Sequence, residues 1–398
     1  AGISSIVNRY KGREKVLIPI LMTLFALGGS TYGMAEETVA FYPLLIPVMM
    51  ACGFDSIVAV ALALVGTSVG NMASTVNPFA TGVASQTLGI SPGDGLVSRI
   101  IFFVIVDVIA IAFVMRYATK IQKDPTKSYV YAQREEDWKS FNIDERTNDV
   151  EPMTGRQKAV IWLFMAAFVI MIIGLVPWSS LNKHLTFFDT ATTWLENIPV
   201  LGTLLGHDIA PLGTWYFSEI TMLFLVMSVV VMWVYHMKED VFIDAFMGGM
   251  ADFVSVAMIV AVARGLQVVM NNGLITATIL HAGETGLTHV SQSLFIILTF
   301  LFYVPMSFLI PSTSGLAAAT MGIMGPLGHF AHVSGSLVIT AYQAAEGWVG
   351  LVTPTSGVVM AALAISHVNL TTWWKWSLRL MLYLFIATVV FLAILAAI

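Results

Sequence analysis

Charge is scarce in this chain: Asp, Glu, Lys and Arg fill 11% of its 398 positions, against 57% hydrophobic residues. So little charge cannot clothe a water-facing surface, and a mean hydropathy of +0.83 excludes an ordinary soluble domain. Cysteine is scarcer still. Cys52 is alone, which excludes an intrachain disulfide framework and reads as a buried, inert thiol. The net charge of -5 lends nucleic-acid binding no support. His281, His289, His329, His332 and His367 share no compact zinc-ligand spacing. GTSVG at Gly66–Gly70 lacks the lysine of a phosphate loop, and neither a nucleophile elbow nor a paired set of catalytic carboxylates stands out. An enzyme is therefore not expected, and neither is ATP-driven transport by this chain alone. The opening AGISSIVNRYKGREK has no apolar core and no cleavage signal, so it is not a signal peptide.

What remains is apolar chain in lengths suited to a bilayer, which needs about 20 residues per helical crossing. Full spans are expected at Val16–Tyr32, Val97–Val114, Ile161–Val176, Tyr216–Val234, Ser293–Ile310 and Leu380–Ile398. Arg116 to Lys158 is the one extended polar segment. It holds nine of the nineteen Lys and Arg residues, which places it in the cytoplasm by the positive-inside rule. TWLENIPVLG, Thr193–Gly202, is expected to form an interfacial helix with Trp194 at headgroup depth.

An internal repeat is the strongest pattern. GMAEET at Gly33 recurs as GLAAAT at Gly315, each soon after a full apolar span. NMASTVNPFATGVAS, from Asn71, is answered by GLVTPTSGVVMAALAIS, from Gly350, with Pro78 matching Pro354. Paired Gly/Pro-broken segments at corresponding places in two halves are the mark of duplicated secondary transporters. The expected fold is an all-α polytopic membrane protein, with a first repeat in 1–114, a cytoplasmic linker in 115–160 and a second repeat in 161–398. The span entering the first copy has little chain before it, so the first repeat is expected to lack its N-terminal helices.

Irregular backbone survives at membrane depth only inside protein or beside a polar cavity. The breaks at Pro78 and Pro354 expose helix ends: N-termini suit a carboxylate, and freed carbonyls suit a cation. Asn71, Ser74, Thr75 and Asn77 in the first half, and Thr353, Thr355 and Ser356 in the second, are candidate ligands of a solute. Ser74, Asn77, Thr353 and Thr355 are also candidates for a Na⁺ site. Helix capping and inter-helix hydrogen bonding are the alternative use of such groups. Segments Gly33–Gly53 and Gly315–Gly335 are too short for two crossings and read as re-entrant hairpins, with Ser312, Thr313 and Ser314 as caps or ligands before the second and GGSTYG, Gly28–Gly33, in the same role before the first. Glu36 and Glu37 point about 100° apart on a helix, so one is expected to face a cavity while the other accepts local hydrogen bonds. Glu346 is expected near a membrane face and Asp55 at a helix cap. Asp107 and Asp252 interrupt apolar runs and suit inter-helix bonding, protonation or solute contact. Arg264 interrupts an apolar segment before Asn271, Asn272 and Gly273; it would pair with an acid or grip a carboxylate.

LFALGGSTYGMAEETVAFYPLLIPVMMACG and VGNMASTVNPFATGVAS resemble the YfcC family of the ion transporter superfamily, related to anaerobic C4-dicarboxylate carriers. ARGLQVVMNNGLITATIL, FLIPSTSGLAAATMGIMGPLG and LVTPTSGVVMAALAI are similar to the same family. The resemblance implies inverted repeats, each with a re-entrant helical hairpin and a discontinuous transmembrane helix. It also implies an elevator-type transporter, a homodimer in the bacterial inner membrane, and further helices before Ala1. Its members include arginine/ornithine exchangers. Exchange of a basic amino acid is accordingly the favoured expectation, with Glu36 or Glu37 neutralising a cationic group and Arg264 or the helix ends holding the carboxylate. The alternative is Na⁺- or H⁺-coupled transport of a C4-dicarboxylate or other organic anion, with a non-transporting scaffold or receptor ranked below. No cofactor is expected beyond a coupling ion. Membrane lipids and a small-molecule substrate are the expected partners.

Overall fold

Apolar runs of this kind fold as helices because a bilayer offers their backbone groups no other partner. The computed structural model describes residues 14–141, 154–175, 187–198, 209–248 except 216, and 290–398, with isolated positions at 178 and between 250 and 281. Arg264, Asn271 and Asp252 lie outside the described residues.

One unit of the structure takes residues 1–90, 95–152 and 258–398. Its helices are α1 (Leu17–Thr31), α2 (Tyr42–Ala51), α3 (Ser56–Met72), α4 (Val83–Leu88), α5 (Leu96–Lys123) and α6 (Arg134–Ser140). They continue with α10 (Gln292–Leu309), α11 (Thr313–Phe330), α12 (Gly335–Val349), α13 (Gly357–Ile365) and α14 (Leu370–Ala397). The second unit takes 91–94 and 153–257, with α7 (Gly155–Leu175), α8 (Phe187–Glu196) and α9 (Phe217–Tyr235). There α7 and α9 run antiparallel, joined where the N–H groups of Gly213 and Trp215 both donate to the Gly174 carbonyl at 2.8 and 3.1 Å.

Four helices among the described residues are long and apolar enough to cross a bilayer: Glu14–Thr31, α5, α10 and α14. Two run past their expected ends. The α5 helix continues to Lys123, so the polar linker begins later than Arg116. The α14 helix starts at Leu370, ten residues before the expected Leu380, because Lys375 and Arg379 are carried on its first turns without ending it. Each of the two 28-residue helices is about 42 Å long, more than hydrocarbon alone requires.

The expected hairpins have a different composition. Gly315–Gly335 is not itself a hairpin: one 18-residue helix, α11, runs through it to Phe330 and keeps Pro326 inside. Its antiparallel partner is α10, with Tyr303 beside Thr320 and Phe295 beside Gly328. In the first half a 3-10 turn, Glu36–Phe41, leads into α2, and the chain doubles back on α1 so that Phe25 meets Phe41 edge-on at 5.4 Å.

Glycines set the closest helix contacts. A Cβ on Gly70 would lie 2.1 Å from the Ala26 carbonyl oxygen, and one on Gly29 would lie 2.3 Å from that of Thr67, so α1 and α3 pack backbone to backbone. Gly347 of α12 sits equally close to α3, where a Cβ would stand 2.3 Å from Met72 N. The C-terminal ends of α3 and α12 therefore abut where the chain leaves both helices. Polar links reinforce the packing: Thr23 of α1 donates to Asp107 of α5 at 3.1 Å, which gives Asp107 the inter-helix role.

Beyond α5 the linker residues up to Phe141 pin two corners. Asp55 caps α3 by accepting from Val58 N at 2.9 Å, and its other oxygen accepts from Tyr117 at 2.5 Å and Ser128 at 2.6 Å. Asp137 lies 3.1 Å from His367 Nδ1, and Gln133 donates to the His367 carbonyl at 2.9 Å. The His367 ring also stacks on Phe141 at 5.0 Å.

Candidate functional site

After Met72 the helix stops, and residues 73–77 cross to a five-residue π turn, Pro78–Gly82, before α4 resumes. Pro78 supplies no N–H and Asn77 precedes it in an extended conformation (ψ 116°), which is what a residue before proline favours. The Asn77 Oδ1 caps the new turn, accepting from Phe79 N at 2.9 Å and Ala80 N at 3.2 Å. Its Nδ2 lies among three oxygens, Gly29 O, Asn71 Oδ1 and Ser74 Oγ, at 3.2 to 3.4 Å. Gly33 makes room for this amide. A Cβ there would come within 2.6 Å of Asn77 Oδ1, and its φ of +83° is one that side chains disfavour.

Ser30 ties the same break to α1. Its hydroxyl donates to the Ala73 carbonyl at 2.8 Å, and Thr75 returns its N–H to the Ser30 carbonyl at 2.9 Å. Asn71, Ser74, Thr75 and Asn77 thus form one polar knot, with Ser74, Thr75 and Asn77 buried in it. Ser30 lies in GGSTYG, where caps or ligands are expected, and it ties the break as a hydrogen-bonding partner; Gln343 is not marked by the sequence. Gln343, fully buried on α12, reaches the Thr81 hydroxyl at 2.6 Å. A single Gln in an apolar run carries no pattern, so nothing in the sequence marks it.

The second break follows Val349. Thr353 stands to Pro354 as Asn77 does to Pro78, with its hydroxyl 3.4 Å from Thr355 N and 2.6 Å from the Thr355 hydroxyl. Thr355 also donates to Phe308 O at 2.9 Å. Indole N–H groups of Trp373 and Trp374 hold the Leu351 and Val352 carbonyls at 2.9 Å each, so α14 satisfies the freed acceptors here. The N-terminus of α13 differs from that of the first break: Ser356 makes no side-chain cap, and a Cβ on exposed Gly357 would meet only open space. Among the described residues no hydrogen bond joins Ser74 or Asn77 to Thr353 or Thr355.

The acids are divided. Glu37 is used locally, accepting from Tyr32 at 2.8 Å and Ala35 N at 3.2 Å. Glu36 is exposed on the turn that packs against α13. Glu346 faces inward, toward the start of α11, where the Thr313 hydroxyl donates to it at 2.9 Å. Tyr342, on the same face of α12, donates to the Thr313 carbonyl. Glu36 is near enough to act on Glu346 through its charge. The expectation for Glu346 at a membrane face overlooked this: one turn before a helix break, a residue faces whatever the break encloses. Ser312 is a cap, accepting from Gly315 N at 3.3 Å, and Ser314 is buried on α11. Glu346 and the Thr313 hydroxyl thus meet where α12 nears its end and α11 begins, while Glu36 lies on a turn that packs against α13, whose first turn has no side-chain cap.

Comparisons with known proteins identify the family and the fold. The family model of the C4-dicarboxylate anaerobic carrier, DcuC, matches residues 1–397. An uncharacterised protein of Haemophilus influenzae Rd is 30% identical over 375 residues, covering 94% of this chain and 67% of that protein. YfcC of Escherichia coli K12, whose name provisionally assigns it basic amino acid antiport, is 28% identical over 396 residues, covering 97% and 71%. Two solved structures share the fold. The Alcanivorax borkumensis YdaH transporter aligns with a TM-score of 0.65 at 14% identity, covering 99% of this chain and 80% of its own. MtrF of Neisseria gonorrhoeae, described among antimetabolite efflux pumps, aligns at 0.56 and 15%, covering 98% and 83%. The chain is a multi-pass secondary transporter of the bacterial inner membrane, and it belongs to the C4-dicarboxylate anaerobic carrier family.

Proposed function

We propose that the transported solute is a small organic anion of the C4-dicarboxylate class, carried by alternating access together with H⁺ or Na⁺. The observation that carries this reading is the uncapped N-terminus of α13, with open space at Gly357, on a helix that packs against the Glu36–Phe41 turn. A helix start offers N–H donors and partial positive charge to a carboxylate. Glu36 and Glu346 then serve the coupling cation, because two carboxylates within electrostatic reach at membrane depth call for a positive charge between them. Asn71, Ser74, Thr75 and Asn77 shape one wall of the site and Thr313, Thr353, Thr355 and Ser356 the other. Arg264 and Asn271 remain candidates for the second carboxylate of the solute.

The same acids favour one further reading, exchange of basic amino acids such as arginine and ornithine. There Glu36 and Glu346 would take the cationic groups, and α13 the α-carboxylate.

The chain order supports inverted repeats. α1, the turn with α2, α3, α4 and α5 recur as α10, α11, α12, α13 and α14, ending in matched 28-residue helices. In this reading the pairs α1/α2 and α10/α11 are re-entrant hairpins, and α3–α4 and α12–α13 are discontinuous helices. They move as an elevator in a homodimer, and residues 115–160 link repeats lying within 1–114 and 161–398. Counterflow in proteoliposomes tests the function. Succinate-loaded vesicles should accumulate labelled succinate, with uptake falling at least tenfold in Glu36→Gln and Glu346→Gln but not in Asp55→Asn. Arginine counterflow without succinate counterflow would replace the first reading with the second.

A further inference from the structure

Where a helix is interrupted inside a membrane, its backbone needs a substitute partner that both donates and accepts. At the first break that partner is a side chain from the other half of the sequence. Gln343 is fully buried on α12. Its amide, oriented by hydrogen-bond matching, places Oε1 3.1 Å from Thr81 N and 2.6 Å from the Thr81 hydroxyl, with Nε2 donating to the Ser74 carbonyl at 3.3 Å. These are the two ends of the irregular turn. The Thr81 hydroxyl also lies 3.1 Å from the Ser74 carbonyl, so the amide closes a ring across the break. A carboxamide reproduces the donor and acceptor of a missing peptide unit. A carboxylate cannot, since it would set a second acceptor against the Ser74 carbonyl.

We propose that Gln343 is a positioning residue for transport: its amide splices the Ser74–Thr81 break to α12, so that the turn bearing Ser74 and Asn77 keeps its place against Glu346. Gln343 touches no solute in this role and acts through the turn. Glu346 lies three residues further along α12, and on a helix that spacing puts the two residues on neighbouring positions of one face. Displacement of the turn thereby moves one wall of the site relative to the other. The inference rests on the reading of this region as the solute site, but the splice itself has a readout independent of any solute.

That readout is amide hydrogen exchange of the peptide 73–82 in the full chain reconstituted in nanodiscs. Gln343→Leu, which removes both functions of the amide, should raise exchange there about tenfold while the melting curve stays cooperative. Gln343→Glu supplies the missing O–H donor only when protonated. Relative to the wild type at each pH, its exchange should match the wild type under acid conditions and rise toward that of Gln343→Leu as pH increases. Succinate and arginine are the transport probes. For whichever the wild type carries, Gln343→Leu should raise KM about tenfold, and Gln343→Glu should lose transport with rising pH where the wild type does not. Wild-type exchange in Gln343→Leu, or a Gln343→Glu variant that follows either parent at every pH, overturns the proposal. If the wild type carries neither probe, the proposed solutes fall and the exchange arm alone decides the splice.

Discussion

Asp55 shows how much one side chain can hold where a helix start, a neighbouring helix and the linker meet. Three donors converge on its carboxylate, from the backbone of α3, from α5 and from the linker. Burial nevertheless pushes its carboxyl above the usual carboxylate range, against the pull of those hydrogen bonds. The native chain thus binds this proton more tightly than the unfolded one, whose Asp titrates near about 3.9. The stability linked to that proton is present at low pH and is lost as pH rises through the raised value. Asp55→Asn keeps the cap with its oxygen and donates to both hydroxyls with its nitrogen, without a charge to bury. Its melting temperature relative to the wild type should therefore climb as pH rises above about 4, the unfolded value, and a difference that is constant or shrinks from there to neutral pH would contradict this. Asp55→Ala loses all three bonds and should cost about 2 kcal/mol at neutral pH. The cap was legible in the sequence, because Gly53 and the following apolar run mark a helix start. The Tyr117 and Ser128 contacts were not, since they join residues 62 and 73 positions away.

Among elements, the contact between α3 and α12 governs where the two breaks lie. Gly347 meets Met72 N and the Ser68 carbonyl, both backbone atoms that cannot swing aside. Gly347→Ala should therefore destabilise the protein by about 1–3 kcal/mol and lower transport, whereas Gly53→Ala, with open space around it, meets no such clash. Gly53 still has a φ of +83°, so its cost is the smaller one of backbone strain. Thermal unfolding of the two variants side by side checks the order. Positions of helices were readable from apolar length, and the breaks from Pro78 and Pro354. Helix pairing was not. The α11 helix runs through Pro326, and Gly315–Gly335 looked like a hairpin because proline and glycine were taken as chain reversals. Packing against α10 and α4 keeps that helix whole.

For the whole molecule, the fold brings together residues far apart in sequence: Thr313 opens α11 and bonds to Glu346 near the end of α12, and the turn carrying Glu36 packs against α13. The repeated motifs announced the breaks but not this meeting, because Glu36 and Glu37 have Ala318 and Ala319 as counterparts and the inward acid of the second half lies on a different element. The linker pins the Asp55 and His367 corners of the same unit, so severing it has a measurable consequence. Asp137→Ala with Gln133→Ala should raise hydrogen exchange at 366–369 while leaving that at 73–82 unchanged. The most direct measurement of a shared site uses Cys52→Ser chains carrying Ala35→Cys, beside Glu36, or Gly357→Cys, at the open start of α13, labelled with a membrane-permeant maleimide in the presence and absence of saturating succinate. Slower labelling at both positions is the result expected of one enclosed site. Protection at one position alone, or at neither while the parent chain performs succinate counterflow, would contradict it.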